Sequence, residues 1–359
     1  MSEGPEGPSV SISARPLPQN ALADGKAQAG ESRARIVLIA TGGTLAMQQG
    51  REDGACIPAL AGEDLVQSVA GIDQLAVLEV QDLANQPSAY MGPVQWGLLA
   101  EAVQAAMARE EISAVVVTHG TDTLEETAYF LELTLPGNKP VVLVGAQRSA
   151  SEPDSDGPRN LLDAVRVAVA TAARGRGVLV VMNGRISAAR DISKVHTCDV
   201  AGFSGGEAGY LGDVGPHGVR FRRAESIGSD RQLFPLGREP LPKVAIVTMY
   251  GGADGSLVEA AVASGASGIV VQALGAGNVN PAVFTALKEV MAKGVTVVIA
   301  TRVPHGRVMP VYGFEGGGKT LVDAGAILAG DLSPQKARIL LMLALQQGAE
   351  SAALQRLFD

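Results

Sequence analysis

Cysteine is nearly missing from this chain. Two residues in 359, Cys56 and Cys198, exclude a disulfide framework and a Cys-x-x-Cys metal cluster. Histidine is scarce too: His119, His196, His217 and His305 include no His-x-x-x-His pair, so a metal site is not expected. Aromatic residues make up 4% and charged residues 18%; the 29 Lys and Arg are outnumbered by 37 Asp and Glu, for a formal charge of −8. Nucleic acids and anionic membranes call for clustered Lys and Arg, and no cluster is visible, so neither partner is expected. No apolar run reaches the roughly 18 residues of a membrane span. Residues 1–34 hold no apolar core of the ~7 to 15 residues that a signal peptide needs. The expected location is the cytoplasm.

What is present is apolar material in a regular rhythm. At 47% hydrophobic residues, the chain is long enough for two domains with large cores. Residues 1–34, rich in Gly, Pro, Ser and Ala, are expected to form a disordered extension. Over 35–223, strands are expected at 36–40, 115–117, 141–144 and 178–182, and helices at 62–70, 94–109, 124–133 and 160–174. Such alternation implies right-handed β-α-β crossovers and a mostly parallel sheet covered by helices. The rhythm lapses over 224–242, which reads as a linker. A smaller α/β domain follows over 243–359, with strands at 244–248, 268–271 and 295–300 and helices at 256–264, 281–293 and 333–347. In the last helix Ser333-Pro334 supplies an N-cap and a first-turn proline, and the run 339–345 is apolar nearly all round. Such a helix is buried, in its own domain or against another subunit.

Two strand-to-turn junctions carry the chemistry. Arg35-Ile36-Val37-Leu38-Ile39-Ala40-Thr41-Gly42-Gly43-Thr44 is echoed by Val115-Val116-Val117-Thr118-His119-Gly120-Thr121-Asp122-Thr123. Each is a β-branched run ending in small hydroxylated residues, which puts threonine hydroxyls at a strand's carboxyl end, where open α/β sheets hold ligands. In the first turn, glycines permit close backbone approach, and exposed N–H groups can stabilise an oxyanion. The pattern alone fits a nucleophile, a phosphate cradle or a plain turn. Against a dinucleotide site, Gly-x-Gly-x-x-Gly is absent and the next helix is expected only near Gly62. In the second turn, a threonine attacks only when a base takes its proton. Asp122 can hold a lysine ammonium beside Thr121 and tune it as that acceptor. The alternative is that Asp122 or Thr123 caps the helix beginning at Leu124.

Together with Val141-Val142-Leu143-Val144-Gly145-Ala146-Gln147-Arg148, Asp156-Gly157-Pro158-Arg159-Asn160-Leu161, Gly177-Val178-Leu179-Val180-Val181-Met182-Asn183, Gly275-Ala276-Gly277-Asn278 and Pro334-Gln335-Lys336-Ala337-Arg338, the two turns resemble the bacterial-type L-asparaginase and glutaminase family in order and spacing. The resemblance runs from Ile36 nearly to the C-terminus. It implies a two-domain α/β subunit in a homotetramer built from intimate dimers. It further implies cofactor-free hydrolysis of a small side-chain amide, L-asparagine first, through a threonine acyl-enzyme. Carried over by position, Thr44 is the nucleophile, and Thr121, Asp122 and Lys194 form a second triad. Lys194 stands in Arg190-Asp191-Ile192-Ser193-Lys194-Val195-His196-Thr197. Ser88 falls where the family grips the substrate α-carboxylate, with Gly43, Gly120, Thr121 and Asp122 completing the substrate site.

Three positions depart from the family pattern. The segment 45–60 lacks a tyrosine, with Cys56 nearest its place; Ala89 stands where a ligand-binding glutamine is common in the periplasmic-type members; and Gly251-Gly252-Ala253-Asp254 lacks the asparagine that those members project into the neighbouring site. Tyr90 could supply a hydroxyl or simply pack beside Met91. Cys56 has no histidine or lysine partner in sequence to make it a second nucleophile. The alternatives are a glutaminase or other small-amide hydrolase, a binding protein of the same fold that has lost catalysis, and the ammonia-releasing subunit of a tRNA amidotransferase. The last fits poorly with an acidic chain.

Overall fold

The valine and isoleucine runs become strands because β-branched side chains have few rotamers to lose on a pleated surface. The computed structural model describes residues 33–49, 56–223, 232–237 and 239–358. In chain order the N-terminal part contains β1 (Arg35–Gly42), a hairpin of β2 (Met47–Gln49) and β3 (Cys56–Pro58), helices α1 (Gly62–Gln67) and α2 (Ile72–Leu75), and β4 (Val77–Gln86). Next come α3 (Pro93–Ala108), β5 (Ile112–Thr118), α4 (Leu124–Thr134), β6 (Val141–Val144), α5 (Gly157–Val169) and β7 (Val178–Met182). The strands β8 (Arg185–Ala188), β9 (Ser193–Lys194), β10 (Phe203–Ser204), β11 (Gly212–Gly215) and β12 (Gly218–Phe221) follow. The C-terminal part runs β13 (Val244–Thr248), α6 (Ser256–Ala263), β14 (Gly268–Ala273), α7 (Pro281–Ala292), β15 (Thr296–Thr301), α8 (Gly318–Asp323), β16 (Ile327–Leu328), α9 (Pro334–Gln346) and α10 (Ser351–Phe358).

Among the described residues, eight strands form one sheet in the order β12-β11-β8-β7-β6-β5-β1-β4. The stretch from β4 to β7 is parallel, and β8, β11 and β12 extend it antiparallel. The C-terminal sheet is parallel throughout, β13-β14-β15-β16. Period-two alternation divides the large sheet's core. Ile36, Leu38 and Ala40 face Leu65, Ile72 and Leu161 of α1, α2 and α5. Val37 and Ile39 face Trp96 and Leu99 of α3 and Phe130 and Leu131 of α4.

That second layer continues without a break into the C-terminal sheet. Leu340, Leu341 and Leu343 of α9 share one core with Phe130 of α4 and with Val270 and Val298 of β14 and β15. The all-round apolar run of α9 is therefore buried between two layers of its own chain, and it gives no argument for a subunit contact. Its N-terminus is built as expected, with the Ser333 side chain accepting the Lys336 N–H.

Several expectations are corrected in detail. The helix expected over 62–70 stops at Gln67, and Gly71, at φ +78°, leads into the separate α2. The helix expected over 160–174 begins earlier, at Gly157 with Pro158 in its first turn, and ends at Val169 before a 3-10 turn at Thr171–Ala173. A 3-10 turn, Thr44–Ala46, does follow the first glycine turn, where no helix was expected before Gly62. The longest strand, β4, has no counterpart among the expected strands. It is an edge strand with Glu79, Gln81 and Asp82 exposed, so it lacks the continuous apolar run of a buried strand. The proposed extension over 1–34 lies outside the described residues except for 33–34, and 224–231 and 238 of the proposed linker lie outside them too. The described part of that linker contains neither helix nor strand.

Candidate active site

Because β4, β1 and β5 are adjacent and parallel, their carboxyl ends arrive side by side, with Ala40 in register with Thr118 and Gly42 with Gln86. Thr41 ties the first two turns together by donating its hydroxyl to the Thr118 carbonyl at 2.8 Å. Beyond that bond the turns touch backbone to backbone. Gly43 has φ +85°, and a Cβ there would overlap the backbone of Gly120. Only glycine meets both demands. Thr44 and Thr121, each one residue further on, are thereby brought to adjoining positions, the first half-buried and the second buried.

The end of β4 delivers the third participant. Ser88 is buried, and its Oγ accepts the Asp122 N–H at 3.2 Å while its carbonyl accepts the Thr123 hydroxyl at 2.7 Å. A Cβ on Gly120 would come within 2.7 Å of the Ser88 Oγ. Thr123 thus binds Ser88 and does not cap α4, whose N-terminus carries no side-chain cap bond.

Lys194 reaches the same place from β9. Its Nζ donates to Thr121 Oγ1 at 2.8 Å and to Asp122 Oδ1 at 2.7 Å. The Asp122 carboxylate is 68% exposed, whereas the lysine side chain is only 16% exposed. Asp122 is therefore an ion-pair partner at the rim, and the amine is held inside it. The backbone of Lys194 pairs with Phe203 of β10, and its N–H donates to Glu125 Oε2 at 2.9 Å. Glu125, in the first turn of α4, was not expected from the sequence. A cavity of about 520 Å³ opens beside it, lined among others by Glu125, Arg190, Lys194, Gln272 and Thr301. Neither Thr44 nor Ser88 lines that cavity, so it meets the threonine site only at Glu125 and Lys194.

His119 supports the second turn from beneath. It is fully buried, and burial pushes the imidazole down to about 4, against a smaller upward pull from its bond to the Gly120 carbonyl. Its Nδ1 lies 2.7 Å from that carbonyl and can only donate to it; in the neutral ring Nε2 then accepts from the Thr127 hydroxyl at 2.9 Å. The Thr127 oxygen accepts in turn from the Trp96 indole at 3.0 Å. Both ring nitrogens of His119, the Thr127 hydroxyl and the Trp96 indole N–H thus have partners, which fixes the Gly120 peptide.

Three of the other quoted motifs, 141–148, 156–161 and 177–183, brace one another. The Asp156 carboxylate accepts the N–H groups of Gln147 and Arg148 and the amide of Asn160, while Asn160 donates to the Gly145 carbonyl and accepts the Asn183 N–H. Gly145 itself has no room for a Cβ, which would fall 2.8 Å from the His119 carbonyl. At the departures, Ala89 is exposed and Tyr90 is 69% exposed, so the tyrosine does not pack beside Met91. Open space surrounds the Cβ positions of Gly251 and Gly252, and Asp254 is committed to its own helix start, accepting the N–H and hydroxyl of Ser256. The Cys56 side chain lies outside what is described. Among the described residues no cluster of His, Cys, Asp and Glu could hold a metal ion, and no helix is long and apolar enough to cross a membrane.

Two family models match the chain: "Asparaginase, N-terminal" over residues 35–226 and "Glutaminase/Asparaginase C-terminal domain" over 243–358. A probable L-asparaginase of Deinococcus radiodurans is 41% identical over 329 residues, covering 90% of this chain and 97% of that protein. L-asparaginase 2 of Escherichia coli is 37% identical, covering 90% and 92%. The glutaminase-asparaginase of Pseudomonas fluorescens is 32% identical, covering 90% of each. The crystal structure of a probable cytoplasmic L-asparaginase from Campylobacter jejuni superposes with a TM-score of 0.83 at 36% identity, over 91% of this chain and 99% of that one.

Proposed function

The chain belongs to the asparaginase family, and from that premise we propose that it is an amidohydrolase converting L-asparagine to L-aspartate and ammonia through a threonine acyl-enzyme. The observation that carries this reading is the pair of contacts from Lys194 Nζ to Thr121 and Asp122, set beside the Gly43-Thr44 turn at the sheet's carboxyl edge. A protein that only bound its ligand would have no need of a lysine held against a buried threonine hydroxyl.

In the proposed reaction, Thr44 Oγ attacks the side-chain amide carbon, and N–H groups of the glycine turn stabilise the oxyanion. The hydroxyl proton passes by way of Thr121 to the amine of Lys194, which Asp122 orients. The C–N bond breaks as the nitrogen takes up that proton and leaves as ammonia. Water then attacks the Thr44 ester, gives its proton to the same relay and frees L-aspartate, while the proton returns to Thr44. Ser88 binds the α-carboxylate, with the backbones of Gly43, Gly120, Thr121 and Asp122 around it. No cofactor enters. The proposed assembly is a homotetramer of two intimate dimers, and the proposed location is the cytoplasm.

One observation favours a wider substrate range. Ala89 offers no side-chain hydrogen bond and Gly252 faces open space, so contacts that would select L-asparagine are missing, and a relative carries the name glutaminase-asparaginase. Ammonia release from L-asparagine, D-asparagine, L-glutamine and small amides tests both readings. L-asparagine should give the highest kcat/KM, L-glutamine in that place would support the wider range, and silence on all four would contradict hydrolysis.

A further inference from the structure

Lys336 is among the largest fully buried side chains of the protein, at 1% exposure, in the first turn of a helix otherwise packed with leucine. A lysine in that place is costly unless its ammonium is well bonded. Burial pushes its pKa down to about 8, although Glu125 and Asp191 pull the other way. Its Nζ donates to the Arg190 carbonyl at 2.6 Å and to the Ile192 carbonyl at 2.5 Å, across 146 and 144 residues of sequence. Those two carbonyls belong to the bend between β8 and β9, where no sheet ladder pairs them. The last residue of β9 is Lys194.

We propose that Lys336 is a positioning residue for Lys194: it anchors the strap 190–192 from the C-terminal module, and so sets how far the Lys194 amine reaches toward Thr121 and Asp122. β9 is only two residues long and is paired only with Phe203 and Ser204, too short a ladder to fix that reach by itself. Glu125 holds the Lys194 N–H from one side, and Lys336 holds the preceding carbonyls from the other. A further tie on the strap, Arg190 to Asp331 at 2.6 Å, is about half exposed and contributes little. A lateral slip of about 1 Å would stretch the 2.7 and 2.8 Å bonds of Lys194 beyond useful length, and misplacement on that scale can cost about 10²-fold in rate. The core that runs from α4 through α9 to β14 makes the C-terminal module a rigid mount for this anchor.

The inference rests on the amidohydrolase reading, and a double-mutant cycle tests it separately. Lys336→Met and Lys336→Gln are each made in the wild type and in a Lys194→Met background, and ammonia release is measured. In the wild-type background kcat should fall about 10- to 100-fold with KM within about threefold; in the Lys194→Met background the same change should cost nothing further, because the residue it positions is gone. An equal loss in both backgrounds, or a folded Lys336→Met enzyme within twofold of wild-type kcat, would overturn the proposal. If neither lysine variant folds, Ser333→Ala decides, since it loosens the cap and leaves the core intact. A fall in kcat of about two- to fivefold supports the anchor, and an unchanged kcat overturns it. A wild type silent on every amide would overturn the hydrolase reading and this inference with it, whereas an active wild type with indifferent Lys336 variants would remove the inference alone.

Discussion

Lys194 meets Asp122 across 72 residues of sequence, and the pair shows what a sequence can and cannot disclose at the scale of single residues. The residue types were legible, because a threonine beside an aspartate at a strand end, and a lysine in a segment resembling the family's, are local patterns. Their partners were not. Glu125 beneath the Lys194 N–H and Lys336 beneath the strap are contacts between distant segments, with no local signal beyond an acid in a helix's first turn and a lysine in an apolar run. If Lys194 is the base, Lys194→Met should lower kcat by about 10² to 10⁴ and leave KM nearly unchanged. An unaltered kcat would remove that role. His119 gives a second expectation. Its imidazole, ordinarily near 6.5, titrates near 4 when folded, so between those values the unfolded chain binds a proton that the native one does not. Stability is then fully present above pH 6.5 and falls as the pH drops toward 4, by up to about 3 kcal/mol. Urea unfolding at pH 7 and 4.5 should show His119→Gln losing less stability on acidification than the wild type; equal losses would contradict the assignment.

At the scale of elements, the buried strands and long helices could be read from the sequence because their apolar periods are continuous. The edge strand β4 could not, since solvent on its flank lets Glu79, Gln81 and Asp82 interrupt the pattern. That gap matters for the proposed site, because β4 leads into Ser88. The fit between the first two turns was equally invisible: a glycine pair in sequence says nothing of which backbone it will meet. Gly43→Ala makes the fit measurable. The substitution demands a strained φ of +85° and overlaps Gly120, so it should cost at least about 2 kcal/mol and reduce kcat by more than tenfold. A variant with wild-type Tm and kcat would mean that the two turns are not locked together as described.

For the whole molecule, α9 changes the argument for assembly. Its apolar surface is consumed inside the chain, so an oligomer is not needed to bury it. What stays exposed is a different set, including Met309, Val311, Tyr312 and Phe314 of the C-terminal module and Tyr250 after β13. Tyr312 and Phe314 lie ring to ring at 5.6 Å, and exposed apolar side chains that adjoin in this way suit a subunit contact. The proposed homotetramer should scatter light as four chains at micromolar concentration, and a stable, active monomer would contradict it.

The central claim is that a threonine hydroxyl at the end of β1 makes and breaks the bond. The most direct measurement is the kcat for ammonia release from L-asparagine by Thr44→Ala, with the fold checked by circular dichroism. The glycines around Thr44 set the turn's backbone, so the variant should fold as the wild type does while its kcat drops by at least about 10³-fold. A folded Thr44→Ala enzyme that keeps most of the wild-type kcat would show that Thr44 is not the nucleophile.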